Sequence, residues 1–342
     1  MRDRRRSLPA TLDSGSEPLY AAVEGGGTKF VWAIGTVGGR PEIEAQGRVE
    51  TRDPQRTLAE VAEEVARAAG GRLLTAVGFA CFGPLELDPR RPDYGHMLAT
   101  PKPGWSGAAL VAPLAERLGA PVALDTDVNG AALAEWLWGA ARGCDPALYL
   151  TVGTGIGGGA VVGGETLRGL LHPEMGHIPM ARLVWPDGTL DTFEGTCPFH
   201  GACFEGLACG PALAARLESD AAIAPSEHPI WELEARYLAQ ALATYTLVLS
   251  PQRIVLGGGV LQQAHLLPRV RERLVEALAG YVKRDELGPR VDEYVVAPHF
   301  GQDAGLMGAF ALARRCHSER SEESVRSAGS TDRSPSLRSG SG

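Results

Sequence analysis

The sequence predicts an α/β fold of two lobes, built on a duplicated βαβ core and carrying a metal-binding loop in the second lobe. Three observations carry that expectation. Two apolar strand pairs, each joined by a glycine turn, recur about one domain apart, at residues 19–35 and 147–164. Between them a short strand runs directly into a helix at Asp125-Thr126-Asp127. Further on, Cys197, His200 and Cys203 stand with two residues between neighbours, inside a stretch from 172 to 206.

Composition limits the possibilities. A chain of 342 residues is long enough for two cores. With 44% hydrophobic residues, 44 glycines and a mean hydropathy of −0.06, it reads as a globular α/β protein rich in turns. The net charge is −8, and basic residues cluster only within the first six positions, so nucleic acid is not expected as a partner. No apolar run is long enough to span a membrane, and no apolar segment follows the basic start as a signal peptide requires. Six cysteines, three of them isolated, suit a reducing interior, and the expected setting is cytoplasmic.

Residues 1–18 lack apolar periodicity and are expected to be disordered. The first hairpin follows. Glycines in Gly25-Gly26-Gly27 let backbone N–H groups approach a phosphate, and Thr28 and Lys29 add a hydroxyl and a charge. Glu24, at the strand end, can hold magnesium through water. The spacing is not that of a P-loop, and such a turn alone is compatible with a plain hairpin. Residues 54–70 have helical spacing, 73–82 read as a buried strand, and Pro101 and Pro103 make 99–105 a rigid loop anchored by Trp105. That loop reads either as a connector or as the wall of a substrate pocket.

Asp127 opens the helix that follows the strand at 121–124. There it is either an N-cap or a carboxylate poised to accept a proton near the positive helix end. The second hairpin turns through Gly153-Thr154-Gly155, and a third glycine cluster, Gly257-Gly258-Gly259, follows another strand. Two phosphate-compatible hairpins, one per half, point to a nucleotide held between duplicated lobes. Two thiolates with His177 and His200 suit a closed tetrahedral zinc site. Glu174 and Glu205 lie beside these ligands; they are either solvated or turned toward a polyol that the metal helps to frame. After the loop, 206–217 reads as a helix broken at Gly210-Pro211, 228–250 and 264–282 as helices, 291–298 as a strand and 303–315 as a small-residue helix. From Cys316 onward the chain is rich in Ser, Arg, Glu and Gly, and is expected to be disordered; Cys316 and His317 are assigned no function.

Taken together, EGGGTK at 24–29, DTDVNGAALAE at 125–135, TVGTGIGGG at 151–159, EMGH at 174–177, CPFHGACFEG at 197–206 and LGGGV at 256–260 resemble the ROK family of repressors and sugar kinases. The resemblance implies an actin-like ATPase (ribonuclease H-like) fold, with a small lobe over 19–127, a large lobe over 128–300 and a helix over 301–315 returning to the small lobe. Within the family the chain looks most like bacterial fructokinases. Its zinc loop is Cys-x-x-His-x-x-Cys, it carries the TPKPGW loop, and Thr126 stands where glucokinase-like members have an asparagine. The implied reaction is transfer of a phosphoryl group from ATP to the C6 hydroxyl of fructose, with Asp127 as general base; glucose, mannose and N-acetylmannosamine are the alternative acceptors. Magnesium would be held by Glu24 and Asp127. The turns at Gly25–Lys29 and Gly153–Gly155, with Pro211 and Gly257–Gly259, would bind ATP. Pro103, Gly104, Asn129, Glu174, His177 and Glu205 would bind the sugar, and zinc would be structural. Pairing into a homodimer is implied too. Eighteen residues before Leu19 are too few for the winged helix of the family's repressors, so a kinase is expected instead.

Overall fold

The computed structural model describes residues 17–220 and 224–330. Its frame is two five-stranded sheets with the same strand order. In the first, β1 (Leu19–Gly25) pairs antiparallel with β2 (Lys29–Val37), which pairs antiparallel with β3 (Pro41–Glu50); on its other side β1 pairs parallel with β4 (Leu74–Cys81), and β4 with β5 (Val122–Thr126). The second repeats this plan. There β6 (Ala147–Val152) is flanked by β7 (Ile156–Val162) and then β8 (Glu165–Thr166), and on the other side by β9 (Arg253–Gly257) and then β10 (Val295–Val296). The sequence echo is therefore a repeat of topology, in which a hairpin is followed by parallel strands reached through helical crossovers.

Helices α1 (Pro54–Ala69) and α2 (Val111–Leu118) cover the outer face of the first sheet. Asp53 caps α1 by accepting from the Arg56 N–H, and Gly70 ends it in the left-handed region, the start and stop that Pro54 and Gly70 announce. Helices α3 (Asp127–Leu137), α4 (Phe204–Ala208), α5 (Gly210–Leu217), α6 (Pro229–Leu249), α7 (Leu266–Leu278), α8 (Val291–Tyr294) and α9 (Ala304–Ser330) complete the chain. Each lobe has its own buried cluster. A third cluster, rich in alanine, joins the sheets where α3 packs on β6 and β7 and α9 packs on β1 and β4. The two helices meet at Gly130 and Gly308; a Cβ at Gly308 would collide with the Gly130 backbone, so glycine sets how closely the central helices approach.

Two expectations are corrected. The C-terminal helix does not stop at Arg315 but runs to Ser330. A helix already nucleated extends at one hydrogen bond per residue, and Arg and Glu are good formers. Arg315 pairs with Glu319 one turn on at 2.8 Å, while His317 Nδ1 meets the Tyr20 hydroxyl at 2.7 Å. Residues 1–16 and 331–342, where disorder is also expected, lie outside the described residues. The strand expected over 291–298 is one helical turn followed by only two strand residues, because Asp292 and Glu293 favour a helix start over a ladder. The polar edge strand β3 and the short helix α2 carry too little periodicity to be read from sequence.

Candidate active site

A cleft opens between the sheets, lined by Glu24 at the end of β1, Asp127 at the start of α3, Tyr149 and Thr151 on β6, Gly258 after β9, and Gly301 to Gly305 at the start of α9. Thr126, not Asp127, caps α3: its hydroxyl accepts from the Asn129 N–H at 3.1 Å. Asp127 is thereby released from capping, and its Oδ1 accepts from its neighbour Val128 N–H at 2.9 Å. Burial pushes the Asp127 carboxyl up to about 6. Burial, and then the charge of Asp127, pushes Glu24 up to about 7. Two facing acids that both resist ionisation, offering hard oxygen donors in one cleft, are a reasonable fit to a divalent cation such as magnesium.

The two glycine turns flank this cleft. In the first, Gly26 N–H bonds to the Lys29 carbonyl at 3.0 Å, Thr51 bonds to the carbonyls of Gly26 and Thr28, and Gly27, Thr28 and Lys29 remain exposed. In the second, Gly153 N–H bonds to Gly155 at 2.9 Å and its carbonyl receives Gly210 N–H at 2.8 Å, which docks the start of α5, with Pro211 in its first turn, against the turn. Gly258, at φ 99°, packs on Val152, so Gly257–Gly259 stack beside Gly153–Gly155. Glu205 Oε2 accepts from the Ile156 N–H at 2.8 Å. One carboxylate expected at the sugar thus also braces the second turn.

His177, Cys197, His200 and Cys203 come together as expected, with their ligand atoms all within 4.8 Å of one another. Cys197 Sγ lies 3.8 Å from His177 Nδ1 and 3.7 Å from His200 Nδ1; Cys203 Sγ lies 3.6 Å from His177 Nδ1. Zinc bonds of about 2.3 Å to sulfur and 2.0–2.1 Å to nitrogen imply tetrahedral edges of about 3.6 Å, so the donor set and its spacing fit zinc. All six cysteines are free. With both histidines turned inward through Nδ1, the Nε2 atom of His177 remains for another partner. Glu174 stands beside this cage, and partial burial of its carboxyl, then the charges of Glu205 and Asp127, push it up to about 7. Pro103 and Gly104 are exposed on their loop, with Gly104 at φ 78°.

Asn129 is fully buried; its Nδ2 donates to Asp125 Oδ1 at 2.9 Å, while its Oδ1 has no hydrogen-bond partner among the described residues. Sequence reading missed the group it joins. Asp125, also fully buried, accepts from Thr126 N–H, Thr166 Oγ1 and Arg168 Nη2 at 2.8, 2.9 and 2.6 Å, and so fixes the junction that carries the acid. His172 was missed as well. It is buried, its Nε2 accepts from the Leu85 N–H of the first lobe at 3.0 Å, and its Nδ1 lies 3.5 Å from Glu174 Oε1. The acidic residue two before Asp127 was a readable signal; the histidine pairs with a backbone group 87 positions away and carried none.

Two sheets of one topology, joined by crossed central helices over a cleft with glycine turns on both sides, define the actin-like ATPase class of fold. The ROK family profile matches residues 20–316, and the chain belongs to that family. It is 41% identical over 312 residues to a putative fructokinase of Bacillus subtilis, covering 90% of this chain and 100% of the relative. It is 42% identical over 300 residues to a fructokinase of Zymomonas mobilis, covering 86% and 96%. Among solved structures, the ROK hexokinase of Thermus thermophilus superposes with a TM-score of 0.68 at 29% identity, covering 88% of this chain and 99% of that one. Among the described residues no helix is long and apolar enough to cross a membrane.

Proposed function

We propose that this chain is an ATP-dependent fructokinase that transfers the γ-phosphoryl group of ATP to the C6 hydroxyl of D-fructose. The observation that carries the reading is Asp127, free of capping duty and facing the cleft between two glycine turns. Relatives named fructokinase at 34–42% identity favour fructose as the acceptor.

Asp127 accepts the proton of the attacking hydroxyl. Alignment and charge neutralisation do most of the remaining work, since phosphoryl transfer asks little covalent chemistry of the protein. The turns at Gly25–Lys29 and Gly153–Gly155 supply backbone N–H groups to the phosphates. Gly257–Gly259 and Pro211 border the nucleoside. Glu174, Glu205, the free nitrogen of His177 and the Pro103-Gly104 loop take sugar hydroxyls. Glu24 and Asp127 would hold magnesium, which when bound neutralises phosphate charge. His177, Cys197, His200 and Cys203 would hold zinc, a structural clip that orients the loop carrying Glu174 and Glu205. Two copies pair, in a cytoplasmic setting.

An ADP-release assay across fructose, glucose, mannose and N-acetylmannosamine tests the acceptor; a higher kcat/KM for glucose than for fructose would reject fructose. Asp127→Asn is expected to keep the fold and its zinc while losing at least about 10³-fold in kcat. Retention of full activity would remove Asp127 from the role of base.

A further inference from the structure

Lys102 stands in the loop expected to wall the sugar pocket, yet its ammonium reaches out of that loop. Nζ donates to the Gly27 carbonyl at 2.6 Å, in the middle of the first glycine turn. The base of this lysine is well anchored. Trp105 is fully buried, stacks on Phe30 with ring centres 5.5 Å apart, and donates Nε1 to the Arg52 carbonyl at 2.9 Å. Thr100 and Ser106 close the loop with two bonds of 3.1 Å, and prolines flank Lys102 on both sides. The lysine thus leaves a loop whose root is fixed, and its ammonium lies at the first glycine turn.

Charge gives this placement a purpose. Glu24 and Asp127 line the cleft, Asp303 adds to the field at Glu24, and Glu174 and Glu205 stand at its sugar side. A nucleoside triphosphate brings further negative charge into an acidic site. Lys29 on the turn and Lys102 beside it are the ammonium groups positioned to offset it. We propose that Lys102 is a phosphate-binding residue, whose ammonium exchanges the Gly27 carbonyl for the phosphoryl group in transit. This deepens the kinase reading and rests on it. In the transfer, the sugar hydroxyl oxygen forms a bond to the γ-phosphorus. The bond from that phosphorus to the β–γ bridging oxygen breaks, its electron pair stays on ADP, and the hydroxyl proton passes to Asp127. Lys102 surrenders no proton; its charge meets the equatorial oxygens as they become more negative.

Three variants of the full chain, assayed with magnesium and ATP, test this. Lys102→Gln keeps a donor for the Gly27 carbonyl but loses the charge, Lys102→Met loses both, and Lys102→Arg keeps both. The expected result is a fall in kcat of about 10²-fold for Gln and Met, with the fructose KM within about threefold, and recovery by Arg to within about tenfold of the parent. Wild-type kcat in Lys102→Gln would reduce Lys102 to a tether of the turn, and wild-type kcat in Lys102→Met would remove it from the reaction. Melting curves accompany each variant; should Met unfold, the Gln and Arg pair still decides. A parent enzyme inactive on every sugar would defeat the kinase reading itself, whereas an active parent with indifferent variants defeats only the role of Lys102.

Discussion

The two glycine turns share a topology and differ in almost everything else. The first, between β1 and β2, is open: Gly27, Thr28 and Lys29 are exposed, and Lys102 is hydrogen-bonded to it from a neighbouring loop. The second, between β6 and β7, is enclosed by the start of α5, by Gly258 and by Glu205. A Cβ at Gly27 would meet nothing within 4 Å, whereas one at Gly258 would collide with the Val152 backbone. Duplication thus supplied one backbone shape twice, and the surroundings divided the labour. The open turn carries positive charge at the surface, while the enclosed turn holds its backbone in a packed frame.

Of the changes that bear on this contrast between the turns, the largest effect is expected from loosening the frame. Cys203 is a cage residue and lies two positions before Glu205, whose carboxylate holds the Ile156 N–H of the second turn. Cys203→Ser should lose zinc, read by metal analysis, and weaken both sides that Glu205 serves. Fructose KM is expected to rise about 10-fold or more, with a lower melting temperature. Unchanged sugar affinity in a zinc-free variant would separate the cage from the pocket. Gly258→Ala should come next. With φ at 99° and a backbone collision, it is expected to lower the melting temperature by several degrees and raise the ATP KM several-fold. Gly27→Ala, in the open turn itself, should leave the melting temperature within about 1 °C. Equal losses in both variants would abolish the distinction between the turns.

How much of this was legible follows the same division. Turn positions, Asp127 and the cage are local patterns, so spacing of glycines, thiols and imidazoles exposes them. Asp127 could not be told from an N-cap until Thr126 was seen to do the capping. Asn129 is a mixed case: its Nδ2 bonds to Asp125 four positions back, a spacing the sequence contains, but that both groups are fully buried shows only in the fold. Lys102, His172 and Arg168 act through partners 43 to 87 positions away, which no short window contains. The helix beyond Arg315 was lost to composition, which registers serine and charge but not that a helix was already under way.

The smallest expected effect is in the pH dependence of stability, and it probes what lies between the turns. Glu24, Asp127 and Glu174 have folded-state values of about 7, 6 and 7, above the ordinary range near 4. Below about pH 4 these groups are protonated in both states and make no difference. Between about pH 4 and 7 the unfolded chain ionises them first and so binds fewer protons than the folded one, which means stability falls as pH rises through this window. Asp191 works in the other direction: burial alone would raise it, but hydrogen bonds from Arg216 and Tyr237 hold it below its ordinary value, so its contribution is lost only at lower pH. The magnesium- and nucleotide-free protein should therefore melt a few degrees lower at pH 7 than at pH 5. Asp127→Asn should flatten that slope by removing one acid and part of the field on Glu24. A melting temperature that climbs from pH 5 to 7 would mean the cleft carboxylates are compensated in the resting protein, and that the charge brought by Lys29 and Lys102 already reaches them across the open turn.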